Sequence, residues 1–148
     1  MPGAHFVLTR VRGTLVVTLQ DAADAGTLTA ASQALMEELG QRGAEGVVFE
    51  ISGCEVIDLD EFTALRKLVQ TVEWLGVRSV VAGLRPGIVA YFASAGVATG
   101  ALRTSLNLEQ ALLKVKPTRT RYLRMHRGEC LPGYANCFLD VFFSVSCA

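Results

Sequence analysis

Hydrophobic residues along the chain form two kinds of pattern, short continuous runs and stretches with a helical repeat. The runs are rich in β-branched residues and bounded by glycines, which is typical of β-strands. They predict five strands, at residues 6–8, 15–19, 46–51, 77–83 and 102–105. Gly13 separates the first two runs and predicts a tight turn between adjacent strands.

Apolar residues at every third or fourth position predict four helices. These helices cover residues 27–40, 60–75, 86–96 and 108–114. Glycines end the first three, at Gly40, Gly76 and Gly96, and Pro86 is placed in the first turn of the third. The resulting order, β-β-α-β-α-β-α-β-α, indicates an α/β fold with a mixed, mostly parallel β-sheet and helices packed against it.

The composition changes near residue 116, so we expect a domain of residues 1–115 and a C-terminal tail of residues 116–148. The whole chain is neutral, with 14 basic and 14 acidic residues. Residues 1–115 carry nine basic and twelve acidic residues, a net charge of −3, and the tail carries five and two, a net charge of +3. Nucleic-acid-binding domains usually have a cationic excess, so nucleic acid is not an expected partner.

The tail is first basic and then apolar, a combination found in segments that bind membrane surfaces. An extra strand or a disordered end explains the same pattern, and we favour that interpretation over membrane attachment. The apolar part, FLDVFFSV, would promote aggregation if it were left exposed. We therefore expect it to pack on its own domain or on a neighbouring molecule.

Neither a membrane span nor a metal site is expected from the sequence. No apolar run approaches the roughly 18 to 20 residues that cross a bilayer, and the N-terminus lacks the zones of a signal peptide, which predicts a cytoplasmic protein. The cysteines form no CxxC pair and have no nearby histidine cluster, which argues against zinc and, in a reducing compartment, against disulfides. They are Cys54, Cys130, Cys137 and Cys147. No cofactor is expected.

The segment VIDLDEFTALRKLVQTVEWLG contains the candidate site. At helical spacing, one apolar stripe is expected to face the sheet. It consists of Phe62, Leu65, Leu68, Val69, Val72 and Leu75. The opposite side carries Asp60, Thr63, Lys67, Gln70, Thr71 and Trp74. A tryptophan on the polar side either lies over the following turn or belongs to a partner surface, where this residue type is enriched.

Asp58 precedes this helix, and Glu61 comes three residues after Asp58. The spacing predicts a capping box, in which one carboxylate accepts from a free N–H group of the first turn and the other reaches back. A sharper interpretation treats Asp58, Asp60 and Glu61 as a fixed anionic patch in a regulatory loop. The two interpretations are compatible.

These residues also carry a family resemblance. The stretch from about residue 47 to residue 115 resembles a STAS domain (sulfate transporter and anti-sigma-factor antagonist), and most closely the small scaffold proteins of bacterial stressosomes. The similar pieces are GVVFEISGCEVID, EWLGV, VVAGLRPGIVAYFASAGV and TSLNLEQAL. Their order and spacing carry the resemblance, and the predicted hairpin and first helix extend it to nearly 115 residues. It implies the STAS fold and a non-catalytic regulatory role.

In the STAS family, the residue after the loop aspartate is typically a serine or threonine that a switch kinase phosphorylates. Here that residue is Leu59, and a second family acceptor, a TG pair, is replaced by Ala82 and Gly83. The resemblance therefore implies either a constitutive scaffold that cannot be switched at these positions or a chain in which Asp60 supplies a permanent partial charge there. We favour the plain scaffold, because an aspartate has only one charge and two oxygens and is an imperfect mimic of a phosphate. Implied partners are the serine/threonine switch kinase and paralogous STAS proteins, together with a homodimer and a higher assembly.

Alternatives from other functional classes remain open at this point. A phosphoacceptor role for Asp58, as in receiver domains, would need an acidic pair, which Asp21 and Asp24 imitate, and a lysine after the last strand, which is missing. A nucleophilic Cys54 would need a depressed pKa. A module that binds a small ligand, such as a nucleotide or a lipid, or a phosphorylation-independent anti-sigma-factor antagonist also fits the resemblance.

We therefore expect no catalytic residue and a partner-binding surface on the loop and the exposed side of the helix. Its residues are Asp58, Leu59, Asp60, Glu61, Thr63, Lys67, Gln70 and Trp74. The glycine-containing loop before the third helix could hold an anion, although Pro86 at the first helical position explains its sequence adequately. Its candidate residues are Gly83, Arg85 and Gly87.

Overall fold

The computed structural model describes residues 5–21, 23–97 and 102–116 of the chain. These residues form five strands and four helices in the predicted order. The strands are β1 (Phe6–Val11), β2 (Thr14–Asp21), β3 (Gly46–Cys54), β4 (Ser79–Ala82) and β5 (Thr104–Ser105). The helices are α1 (Ala25–Arg42), α2 (Leu59–Trp74), α3 (Pro86–Ser94) and α4 (Leu108–Val115). The predictions made for residues 117–148 lie outside the described residues.

The strands form one sheet in the order β1-β2-β3-β4-β5, and only β1 runs antiparallel to its neighbour. The predicted hairpin joins β1 to β2 through Arg12 and Gly13, whose φ angles are +49° and +84°. Positive φ at both central residues is typical of a type I′ turn, whose twist matches that of the flanking strands. The mixed, mostly parallel sheet predicted from the sequence is confirmed.

The ends of α1 differ from the prediction, which placed them at residue 27 and at Gly40. The helix begins earlier because Asp24 is its N-cap: the Asp24 carboxylate accepts from the Thr27 backbone N–H at 2.8 Å and from the Thr27 hydroxyl at 3.0 Å. These hydrogen bonds hold the pKa of Asp24 below its usual range. The helix continues through Gly40 because the left-handed residue that ends it is Gly43, at φ +61°.

The core lies on both faces of the sheet. On one face, Val16, Val48 and Val80 stand side by side in register and are covered by Ala111 and Val115 of α4. The alternate residues of the strands point to the other face, which α1 and α2 cover. The stacked rings of Phe62 and Phe92, with centroids 4.1 Å apart, join α2 to α3.

The described part of the chain contains no helix long and apolar enough to cross a membrane. Within the same residues, no group of three or more histidine, cysteine, aspartate or glutamate side chains is arranged to hold a metal ion.

Two glycines provide a matched test of this packing. A Cβ atom at Gly46 would overlap the side chain of Val115 and lie 2.9 Å from the Val115 carbonyl oxygen, whereas one at Gly40 would meet nothing within 4 Å. We expect Gly46→Ala to lower the free energy of unfolding by about 1–3 kcal/mol through overpacking. Gly40→Ala should raise it by about 0.5–1 kcal/mol through helix propensity. Urea unfolding measures both, and a neutral Gly46→Ala would contradict the close approach of α4 to β3.

Candidate functional site

The loop that contains Asp58 follows β3 at the carboxyl edge of the sheet. Because β3, β4 and β5 are parallel, the segments that follow them begin at the same edge. The loop before α2, the Gly83 loop before α3 and the turn before α4 therefore gather there. In the described part of the chain, residues 58–61 and the Gly83 loop therefore lie at the same edge of the sheet, whereas Trp74 lies at the other end of α2.

Asp58 and Glu61 form a complete capping box at the start of α2. An Asp58 carboxylate oxygen accepts from the Glu61 backbone N–H at 2.8 Å, and a Glu61 carboxylate oxygen accepts from the Asp58 backbone N–H at 2.9 Å. The predicted cap is thus present, and it accounts for two of the three carboxylates in this turn. Asp60 is exposed and takes no part in the cap. The anionic patch therefore contains two carboxylates with structural partners and one that points to solvent.

Leu59 and Val56 are apolar side chains that remain exposed beside this cap, at 41% and 75% of their surface. Leu59 is the first residue of α2 and carries no hydroxyl. Sequence reasoning did not single out Val56. The signal that could have found it is its position next to Ile57, which is buried, because neighbouring residues in extended chain point in opposite directions.

The exposed face of α2 is largely as the sequence predicts. Lys67, Gln70 and Trp74 are exposed, and Trp74 keeps 77% of its surface in solvent, so contact with the following turn does not bury it. The expectation that Leu75 completes the buried stripe is wrong, because it is 54% exposed. Leu75 is the C-cap of α2, and the chain turns away at Gly76, whose φ is +82°, so this residue lies at the end of the stripe. The other five residues of the stripe are buried.

The Gly83 loop has a structural explanation for its glycine. Gly83 has φ +81°, and a Cβ there would lie 2.8 Å from the backbone nitrogen of Ser52. Arg85 reaches back to the Ser52 carbonyl oxygen at 3.4 Å, and its side chain does not cap α3. Gly87 is exposed and has open space around it. Among the described residues, Arg85 is the cation that this loop contributes to the carboxyl edge.

Leu59 and Ala82, the two positions that match the phosphate acceptors of the STAS family, differ in accessibility. Ala82, on β4, is completely buried in the cluster under α4. A side chain there faces the core, whereas Leu59 at the start of α2 is open to solvent. The exposed position is therefore the one at which a hydroxyl would be accessible to another protein.

Cys54 lies near the loop, but its surroundings do not favour a reactive thiolate. It is completely buried, and burial raises the pKa of its thiol, with the Glu61 and Glu50 carboxylates acting in the same direction. A reactive cysteine needs a lowered pKa and some exposure. The antiparallel hairpin and the sheet order also differ from the 2-1-3-4-5 order of receiver domains such as CheY. Asp21 and Asp24 imitate the acidic pair of receiver domains, but Asp24 is the N-cap of α1.

Comparisons with known proteins give similarity at the level of structure. No protein-family model matches the sequence, and no curated protein matches it significantly. A serine-to-glutamate variant of Moorella thermoacetica RsbS superposes with a TM-score of 0.65 at 24% identity, over 74% of this chain and 93% of that one. A chain from the stressosome, described as a signal integration and transduction hub, gives 0.62 at 23% identity, over 74% and 95%.

A third similar structure is the anti-sigma factor antagonist SpoIIAA in its unphosphorylated form. It gives a TM-score of 0.55 at 14% identity, over 74% of this chain and 94% of that one. SpoIIAA in its phosphorylated form is also similar, at a TM-score of 0.54. These neighbours are STAS-domain proteins, and the fold of this chain is the STAS fold, as the sequence predicted.

The capping box predicts unequal effects for two neighbouring aspartates. Asp58→Ala should lower the free energy of unfolding by about 1 kcal/mol, because an N–H group of the first turn loses its partner. Asp58→Asn should cost less, since the amide oxygen still accepts. Asp60→Ala is the matched control, with the same charge change in the same turn but no capping hydrogen bond. Urea unfolding of the three variants checks this, and equal losses for both alanine variants would point to charge alone.

Proposed function

We propose that this chain, which has the STAS fold, is a non-catalytic regulatory protein that works by binding other proteins in the cytoplasm. It acts as a scaffold that holds a serine/threonine switch kinase and paralogous STAS proteins in a complex that controls a sigma factor or another stress output. It does so as a homodimer within a higher assembly. The Asp58 loop and the exposed face of α2 form its partner-binding surface.

The observation that carries this proposal is that α2 begins with a complete capping box, while the residue that would accept a phosphate, Leu59, has no hydroxyl. The loop aspartate and Glu61 hold the start of α2 in a fixed geometry, and the next residue, Leu59, is exposed and has no hydroxyl. Phosphorylation at such a position would add roughly two negative charges at a helix terminus and would change what can bind there. In this chain the surface keeps one charge state at that position, which suits a constitutive scaffold.

The chemistry of the surface also suits contact with a protein. Trp74 is a large side chain left almost entirely in solvent, and tryptophan is one of the residues that contribute most to binding at interfaces. Lys67 and Gln70 lie along the same helix face and supply polar groups around it. At the other end of α2, Leu59 adds an apolar contact beside the Asp60 charge. The whole exposed side of the helix thus offers both apolar and polar contacts.

The similar structures support the same class of function. RsbS and the stressosome chain superpose on this chain with TM-scores of 0.65 and 0.62. SpoIIAA is an anti-sigma factor antagonist whose structure is known in phosphorylated and unphosphorylated forms. The second candidate is a phosphorylation-independent anti-sigma-factor antagonist. It is favoured by the same Leu59, and it differs in its partners: an antagonist binds the anti-sigma factor itself, and a scaffold binds further STAS proteins.

Affinity purification of the tagged full chain from its native cell tests the surface. The wild type should recover a serine/threonine kinase and further STAS proteins, measured by quantitative mass spectrometry. Trp74→Lys and Asp60→Lys should reduce that recovery at least about fivefold, because each removes an exposed contact without touching the core. Gln33→Lys, on an exposed position of α1, is the matched control and should leave recovery unchanged. Full recovery with Trp74→Lys would contradict this surface, and recovery of an anti-sigma factor alone would favour the antagonist.

Restoring the acceptor tests the missing hydroxyl. The kinase recovered with the chain, supplied with ATP, should place no phosphate in the peptide of residues 58–63 of the wild type. Leu59→Ser should gain stoichiometric phosphate at that residue, and Leu59→Ala, which also shortens the side chain but adds no hydroxyl, should gain none. Intact-protein and peptide mass spectrometry read the result. Stoichiometric phosphate on Thr63 of the wild type would overturn the unswitched interpretation.

A further inference from the structure

A pocket with a volume of about 340 Å³ opens at the carboxyl edge of the sheet, between the start of α2, α3, β5 and α4. None of its residues was assigned to the partner-binding surface or to the Gly83 loop group. Its apolar lining consists of Phe62, Leu84, Val89, Phe92, Leu102 and Leu106. The volume is at the lower end of the range for small-molecule sites, about 300–1,000 Å³.

The floor and the rim of this pocket differ in exposure. The stacked rings of Phe62 and Phe92 line the pocket but keep only 1% and 0% of their surface exposed, so an occupant would contact the more exposed lining side chains and not these rings. At the rim, Leu106 leaves 75% of its surface in solvent and Val89 leaves 44%. Exposed apolar surface next to a concave apolar wall would be stabilised by an apolar occupant, because the occupant would remove it from water.

One charged side chain, Lys114 of α4, lines this pocket. Its ammonium nitrogen donates to the Thr104 carbonyl oxygen at 2.9 Å, which holds it against β5. An ammonium group has three donors, so this hydrogen bond leaves two for a ligand. Lys114 takes part in none of the ion pairs found among the described residues. It is therefore a positioned positive charge at the wall of an apolar pocket, without an anionic partner in that part of the chain.

We infer that this pocket binds a small monocarboxylate with an apolar body, such as a medium-chain fatty acid, with the carboxylate on Lys114 and the chain against Leu84, Val89 and Leu106. A single cation matches a single negative charge. A nucleotide would bring several charges and a polar base and sugar to an apolar lining with one cation. The net charge of −3 on residues 1–115 also disfavours multiply charged anions.

The pocket is close to the partner-binding surface along α2. Phe62 lies one helical turn after Asp58, and its backbone N–H donates to the Asp58 carbonyl oxygen at 3.0 Å. Phe62 thus belongs both to the lining of the pocket and to the first turn of α2, which the capping box holds. The inference does not depend on the proposed partners, because a ligand can bind here whichever protein binds α2.

Titration of the full chain with decanoate, below its micelle concentration, tests the site. Two-dimensional ¹⁵N–¹H NMR should show saturable shifts centred on residues 84 and 104–106. Lys114→Gln should weaken decanoate binding about three- to tenfold, because it removes a charge-assisted contact. The uncharged analogue decanol should bind the wild type and Lys114→Gln equally. Lys116→Gln, an exposed lysine outside the pocket, is the matched control for the change of charge.

A second pair of variants tests the apolar wall without disturbing the core. Leu106→Asp should abolish the shifts, whereas Leu113→Asp, at a similarly exposed leucine of α4 outside the pocket, should not. Non-saturable shifts, shifts elsewhere on the molecule, or equal decanoate affinity for the wild type and Lys114→Gln would overturn the inference. A third result would also overturn it: decanoate fails to bind, and Leu106→Asp no longer recovers the kinase in the affinity purification. That result would assign the pocket to a protein partner.

Discussion

Burial of β3 on both faces is the constraint on which the arrangement of the other elements depends. Val47, Val48 and Phe49 are consecutive and completely buried, so neither side of this strand can face water. A strand of this kind needs cover on both sides of the sheet: α4 packs over β3 on one face, and α1 and α2, which contact β1 and β4, lie on the other. Parallel pairing with β2 and β4 then requires each connection to return along a helix. The loops that follow the strands are collected at one edge as a result.

The features at that edge divide into those that hold the fold and those that are open to other molecules. Asp58, Glu61 and Gly83 are explained by a capping box and by a left-handed residue packed against β3. Leu59 and Asp60 are exposed and have no comparable role in the fold. The exposed residues at this edge therefore lie between or beyond the structural ones. A residue near Asp58 in the sequence, such as Asp60, therefore need not share its role in capping α2.

The order of elements, the hairpin and the buried stripe of α2 could be predicted from the sequence, because each depends on local periodicity and on glycine positions. Boundaries were less predictable. Gly40 and Gly43 are equally plausible ends for α1, and only the backbone shows which adopts positive φ. The exposure of Leu75 depends on where α2 stops. The pocket could not be predicted, since it joins residues such as Phe62 and Lys114 that lie far apart in the sequence and meet only in the folded chain.

The capping role of Asp58 also bears on how this surface can change over evolutionary time. A stable domain requires an acceptor at this position, because loss of the Asp58 carboxylate leaves a backbone donor of α2 without a partner. Exposed neighbours such as Leu59, Asp60 and Trp74 are under no such requirement, and surface substitutions usually change stability by less than about 0.5 kcal/mol. The exposed side chains of this helix can therefore change in size and charge while the start of the helix keeps the same geometry.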